Sequence, residues 1–248
     1  MIPRRDFLFG LAGAAVAAEF QRLRAQGASP APSFMYVGSF TTPERGHGDG
    51  ITVFQRTGGG PWKQIQLLKD LENPSFLITD PQGRCLYSVH SDGDHASSYR
   101  IDPVSGRLTL LNQQATGGQN GVHLAIDATR KFLVAANYAS GTLAVLPINQ
   151  DGSLGALSDL ATLKGTPGPH RVEQPGSHPH HCPFDPSRRF LVVPDKGLDK
   201  VFVFRLDTAA GKLVPNDPPW VVTRAGAGPR HAGFHPTKPN AYVLNELD

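Results

Sequence analysis

Apolar residues in this chain come in short runs bounded by Asp-Pro, Asp-Gly and Ser-Gly pairs. Short runs between turn-forming residues read as β-strands. Residues 34–40, 51–55 and 62–68 give the first three, with a Gly-rich loop at 41–50 between the first two. Beyond the first thirty residues no stretch shows helical periodicity, so the expected class is all-β.

The pattern then repeats. Its anchor is an apolar residue followed by Asp, once His, usually with Pro next, then a basic turn and a second apolar run. The anchors are Asp80, Asp127, Asp185 and His235, spaced by 47, 58 and 50 residues. After each of the first three second runs comes a third strand, at 96–101, 142–148 and 200–206. A turn and a fourth strand follow, starting at Leu108 and Leu213 in two copies. Four strands per repeat of this length is the signature of a β-propeller blade, and a β-sandwich would not need such periodicity. Counting from Ser33 predicts about four and a half blades over 33–248, the last stopping after its second strand. An open ring leaves strand edges exposed. The expectation is therefore a fragment of a longer propeller.

Composition adds little beyond turns: 27 glycines and 22 prolines among 248 residues suit many short connections. The formal charge is +3 and the isoelectric point about 9.0. Four arginines (Arg4, Arg5, Arg22, Arg24) against Asp6 and Glu19 lie in positions 1–28, so 20 basic and 19 acidic residues remain without them. The basic balance belongs to this leader and is not a nucleic-acid footprint. Arg4-Arg5-Asp6-Phe7-Leu8 precedes an apolar run at 7–18 too short to span a bilayer. It resembles a twin-arginine export signal, residues 1–28, with candidate cleavage sites at Ala15-Val16-Ala17 and Ala25-Gln26-Gly27. A periplasmic or secreted location is expected. Cys85 and Cys182 each fall inside an apolar run of a different repeat and read as buried small hydrophobes.

Aligning the repeats separates scaffold from unusual positions. Ten residues after the anchors stand His90, Asn137, Asp195 and Asn245, and one further Ser91, Tyr138, Lys196 and Glu246. Five before stand Ser75, Val122, His180 and Arg230, and four before stand Phe76, His123, His181 and His231. The first strand of a blade lines the channel, and its start shares a rim with the end of the second. His180, His181, Asp195, Arg230, His231, Asn245 and Glu246 are therefore expected at one channel mouth. His123, His181 and His231 read as structural imidazoles bonding to a neighbouring blade. His180, Arg230 and Glu246 depart from their equivalents and read as the site. His178 and His180 alternate on a strand, yet without a carboxylate cluster no metal is expected. Gly-x-Ser-x-Gly, phosphate loops and dinucleotide fingerprints are absent from the sequence.

Ser177-His178-Pro179-His180, Phe184-Asp185-Pro186, Asp195-Lys196-Gly197-Leu198-Asp199-Lys200-Val201, Gly226-Ala227-Gly228-Pro229-Arg230-His231 and Tyr242-Val243-Leu244-Asn245-Glu246-Leu247 stand together here. With Tyr36-Val37-Gly38-Ser39-Phe40-Thr41 at the start, they resemble the lactonase-type seven-bladed β-propeller family of 6-phosphogluconolactonase and carboxymuconate cyclase. The resemblance implies seven blades in the full-length protein and catalytic roles for His180, Arg230 and Glu246. His178, Asp195, His231 and Asn245 are expected to bind substrate. A further arginine implied by the family would lie beyond Asp248. The implied activity is hydrolysis of a sugar-type lactone, without metal or cofactor. The expected protein is a monomer whose partner is a small-molecule lactone, with no nucleic acid and no membrane after signal removal. A non-catalytic binding propeller and a muconate-lactonising cyclase are the alternatives. The long stretch at 165–176, which accounts for the 58-residue spacing, is expected to reshape the mouth.

Overall fold

The structure, a computed structural model, describes residues 31–248. The leader assigned to 1–28 lies outside the described residues. The chain divides into two compact units. Of the described residues, the smaller comprises 31–34 with the hairpin end 55–63. The larger, 35–54 with 64–248, carries every site residue discussed below. Among the described residues, regular structure is β only.

The strands are β1 (Ser33–Gly38), β2 (Ile51–Arg56), β3 (Lys63–Leu68), β4 (Pro74–Thr79), β5 (Cys85–His90), β6 (His95–Ile101), β7 (Leu108–Ala115) and β8 (Gly121–Ile126). They continue with β9 (Phe132–Asn137), β10 (Thr142–Pro147), β11 (Asp159–Thr162), β12 (Leu191–Asp195), β13 (Lys200–Asp207), β14 (Lys212–Val222), β15 (Pro229–Phe234) and β16 (Ala241–Asn245). They form five sheets, β1-β2-β3, β4-β5-β6-β7, β8-β9-β10-β11, β12-β13-β14 and β15-β16, with antiparallel pairing in the last four. The sequence-predicted repeats and strand order are these sheets.

The anchors explain why the repeat exists. Asp80 accepts the N–H groups of Arg84 and Cys85 at 2.5 and 2.8 Å. Asp127 accepts those of Lys131 and Phe132 at 2.8 and 2.9 Å, and Asp185 those of Arg189 and Phe190 at 3.0 and 2.9 Å. A carboxylate thus closes each turn between first and second strands at the fourth and fifth following residues. The third residue after each anchor, Gly83, Arg130 and Arg188, sits near φ +60° to make that turn. His235 does the same work with Nδ1, accepting from Thr237 and Lys238 at 3.1 and 3.0 Å.

Successive sheets pack face to face, so the inner strands are apolar on both sides. Leu133 and Ala135 join the core shared with Tyr87, Val89 and Ala96 of the preceding sheet. Val134 and Ala136, their alternates, join the core shared with Leu191, Val193, Phe202 and Phe204 of the following one. This two-sided burial is why the runs read as continuous rather than alternating. Cys85 and Cys182 are both free and buried in these layers, as small core residues.

One predicted strand is irregular. The segment leading into the Asp185 anchor, where the repeat places a first strand, pairs only through isolated bridges, Pro179 with Asp195 and Phe184 with Leu191. Pro179 and Pro183 have no N–H to give to a ladder. The Cys182 N–H is turned instead to Nδ1 of His123, at 3.2 Å. The start of this segment and the end of β12 still share one rim, where Lys196 N–H donates to His178 O at 3.1 Å.

Candidate active site

Two rings of equivalent positions meet at that rim. The inner ring holds the residues five before the anchors. Arg230 at the start of β15 donates through Nη2 to Nε2 of His180, at 2.9 Å. The outer ring holds the residues eleven after the anchors. Lys196 lies 5.9 Å over the Tyr138 ring and 3.1 Å from Oε1 of Glu246. The rings are joined by an ion pair, Nε of Arg230 to Oε2 of Glu246 at 3.0 Å. His180 and Glu246, 66 residues apart in the chain, are therefore joined through Arg230, which touches both.

A third series, four before the anchors, runs beneath. Nδ1 of His123 accepts from Cys182 N–H, and Nδ1 of His181 accepts from Ala232 N–H at 3.1 Å. Each imidazole thus ties its blade to the next, as expected for these histidines. The rings touch in sequence: Phe76 to His123 at 4.4 Å, His123 to His181 at 4.1 Å, and His181 to His231 at 5.2 Å between centroids. His231 lies edge-on to His180 at 5.1 Å, which puts it against the inner ring as well.

Burial governs the protonation of this cluster. Desolvation, then the charge of Arg230, pulls His180 down to about 4. Desolvation lowers His181 to about 4 and His123 to about 2, with neighbouring imidazoles adding to both. His231 is lowered by desolvation and then by Arg230. These imidazoles are neutral near pH 7.

His178 and His180 both lie against the Tyr138 ring, His180 edge-on at 5.7 Å between centroids. His178 stacks on Tyr138 at 4.5 Å and bonds through Nδ1 to Tyr138 O at 3.0 Å. Among the described residues no group of three or more His, Cys, Asp or Glu is placed to hold a metal ion. Asn245 lies opposite Pro229 in the β15–β16 pair, and its Oδ1 is buried without a partner.

Asp195, expected to bind substrate, is fully buried, and its hydrogen bonds are to its own chain. It accepts from Ser177 Oγ at 2.5 Å and from the N–H groups of His178, Gly197 and Leu198 at 2.8, 3.0 and 3.1 Å. Burial nonetheless pushes its carboxyl above the ordinary range. Its work is to clamp the His178–His180 segment to the turn after β12.

Three further residues organise the site without having been singled out from the sequence. Asp199 accepts from Gly226 and Gly228 N–H at 2.7 and 2.9 Å, fixing the Gly-rich loop that leads into Arg230. Gln174, buried, donates to Lys196 O and to Asp199 Oδ1, both at 2.8 Å. Its neighbour Glu173 holds Lys196 at 2.5 Å. The signal for the last two was the long 165–176 stretch itself, which pointed to the mouth but not to a residue.

The family model described as "Lactonase, 7-bladed beta-propeller" matches residues 34–248. A 6-phosphogluconolactonase of Bacillus subtilis is 36% identical over 222 residues, covering 86% of this chain and 59% of that protein. One from Formosa agariphila is 31% identical, covering 86% and 61%. A solved periplasmic gluconolactonase of Pseudomonas aeruginosa superposes with a TM-score of 0.77 at 31% identity, covering 87% of this chain and 62% of that one. The chain thus spans about three fifths of the length of these relatives.

Proposed function

Because the chain belongs to the lactonase seven-bladed β-propeller family, we propose that it is an exported lactonase acting on a sugar-type lactone. The observation that carries this is the contact of His180, Arg230 and Glu246 at one rim, from three segments far apart in sequence. The relatives named 6-phosphogluconolactonase and gluconolactonase support the reaction class. The twin-arginine pattern at 1–28 and the periplasmic neighbour support export.

Lactone hydrolysis needs an activated water and a stabilised oxyanion. Arg230 turns its Nη2 donor from His180 to the lactone carbonyl oxygen, where negative charge develops. This frees the Nε2 lone pair of His180, which takes a proton from water as its oxygen adds to the carbonyl carbon. The ring C–O bond then breaks, and the imidazolium returns the proton to the leaving alkoxide. Glu246, held by Lys196, keeps the guanidinium in place. His178, His231 and Asn245 are proposed to contact substrate hydroxyls from the same rim.

The test is acid release by the full-length protein, followed by pH-stat on sugar lactones with and without phosphate, beside Arg230→Ala. Turnover of one lactone, reduced at least a hundredfold in the variant, is expected. No turnover by folded protein across the panel would overturn the reading in favour of a binding propeller.

A further inference from the structure

Glu173 reaches the rim from the 165–176 stretch, which lengthens the spacing between the second and third anchors to 58 residues. The stretch is built rather than draped. Gly168 N–H donates to Gly197 O at 2.8 Å, Gln174 N–H to His170 O at 2.8 Å, and the Gln174 side chain reaches Lys196 O and Asp199. Its anchorage therefore does not depend on the Glu173 carboxylate. What that carboxylate does is electrostatic. It holds Lys196 at 2.5 Å, and Glu246 holds the same ammonium group at 3.1 Å.

At this rim, the described residues place two cations, Arg230 and Lys196, against two carboxylates, Glu246 and Glu173. His180, His181 and His231 are neutral near pH 7. Lys196 is 4% exposed and faces two carboxylates, and Arg230 is occupied by Glu246 and His180. Glu173 is 40% exposed against 4% for the Lys196 it holds, so negative charge lies on the solvent side of that ammonium group.

We propose that Glu173 is a specificity-determining residue, which disfavours lactones carrying a phosphate beside Lys196 and makes an uncharged sugar-type lactone the preferred substrate. This rests on the lactonase reading of the site. A phosphate dianion arriving there meets a carboxylate before it meets the ammonium group. With Glu173 neutral, Lys196 retains only Glu246, which it shares with Arg230, and the rim gains one unit of positive charge.

The test compares the full-length protein with Glu173→Gln, which keeps size and polarity. Glucono-1,5-lactone and its 6-phosphate are the substrates. In parallel, calorimetry measures binding of gluconate and 6-phosphogluconate. The wild type is expected to favour the unphosphorylated lactone. In the variant, the phosphorylated-to-unphosphorylated ratio of kcat/KM is expected to rise on the order of tenfold, more at low salt than at high. An unchanged ratio, or an equal loss for both lactones, would overturn the proposal, as would a wild type that favours the phosphate. If neither lactone is turned over, the lactonase reading falls, and the gluconate to 6-phosphogluconate binding ratio still decides the role of Glu173.

Discussion

Arg230 donates to Nε2 of His180 at 2.9 Å, and a guanidinium cannot accept. Nε2 is therefore the acceptor, and the imidazole proton resides on Nδ1, which is buried without a partner. The atom that would take a proton from water is thus held unprotonated before substrate arrives. Burial, reinforced by Arg230, keeps it so down to about pH 4. The rate of a reaction that needs neutral His180 should hold as pH falls through 6.5 and decline only on approaching 4. A profile of kcat/KM between pH 3.5 and 8 checks this. Arg230→Ala removes one of the three depressing causes, leaving burial and His231, and should move the residual acid limb upward. A limb near the ordinary 6.5 in the native protein would remove His180 from the base role.

The scaffold was legible because its causes are local. An Asp that closes its own turn with the fourth and fifth following N–H groups must recur at every hairpin, and it can be counted. His180, Arg230 and Glu246 were legible for the opposite reason, since each departs from what its repeat position holds elsewhere. The bracing role of Asp195 was not legible because its partners are mostly backbone N–H groups, which no residue pattern announces. Glu173 and Gln174 were missed because an unrepeated stretch offers no second copy to compare. The broken inner strand of the fourth blade was visible in Pro179 and Pro183, and the flanking apolar pattern outweighed them.

Lys196 links Glu173 to Glu246, and Glu246 links it to Arg230. Lys196→Met should leave substrate binding largely intact while Glu246 and Arg230 lose their fixed relation. A fall of roughly 10–100-fold in kcat, with KM changed far less, is expected for a misplaced catalytic group. Steady-state kinetics with a circular dichroism control separates this from unfolding. Loss confined to KM would mean that Lys196 meets substrate directly.

His123 is 8% exposed, and desolvation holds it down to about 2. The unfolded chain binds a proton there below about pH 6.5, and the folded chain does not. Stability from this residue is complete above 6.5 and is lost as pH falls toward 2. His123→Asn places an amide oxygen near Nδ1 to accept the Cys182 N–H, and it cannot titrate. The stability lost between pH 7 and pH 4.5 should shrink by about 2 kcal/mol in the variant, read from urea midpoints at each pH. An unchanged pH dependence would show that other groups carry the acid sensitivity.

Asp199 tests whether the loop entering Arg230 must be held for the site to work. Its two oxygens serve three donors: Oδ1 takes Gly228 N–H and the Gln174 amide, and Oδ2 takes Gly226 N–H. Asp199→Asn keeps the shape but replaces one acceptor with a donor, which then faces an N–H group. One buried donor is left unsatisfied whichever way the amide turns, at a cost of about 1–3 kcal/mol. Gly226 and Gly228 both occupy positive φ, at 79° and 61°, so the freed segment has other conformations open to it. Arg230 follows two residues later, at the start of β15. The variant should therefore lose both stability and turnover, and hydrogen exchange should quicken at 226–230 before it does in the β9 core strand. Full turnover with a loosened loop would mean that the β15–β16 pairing alone suffices to place Arg230.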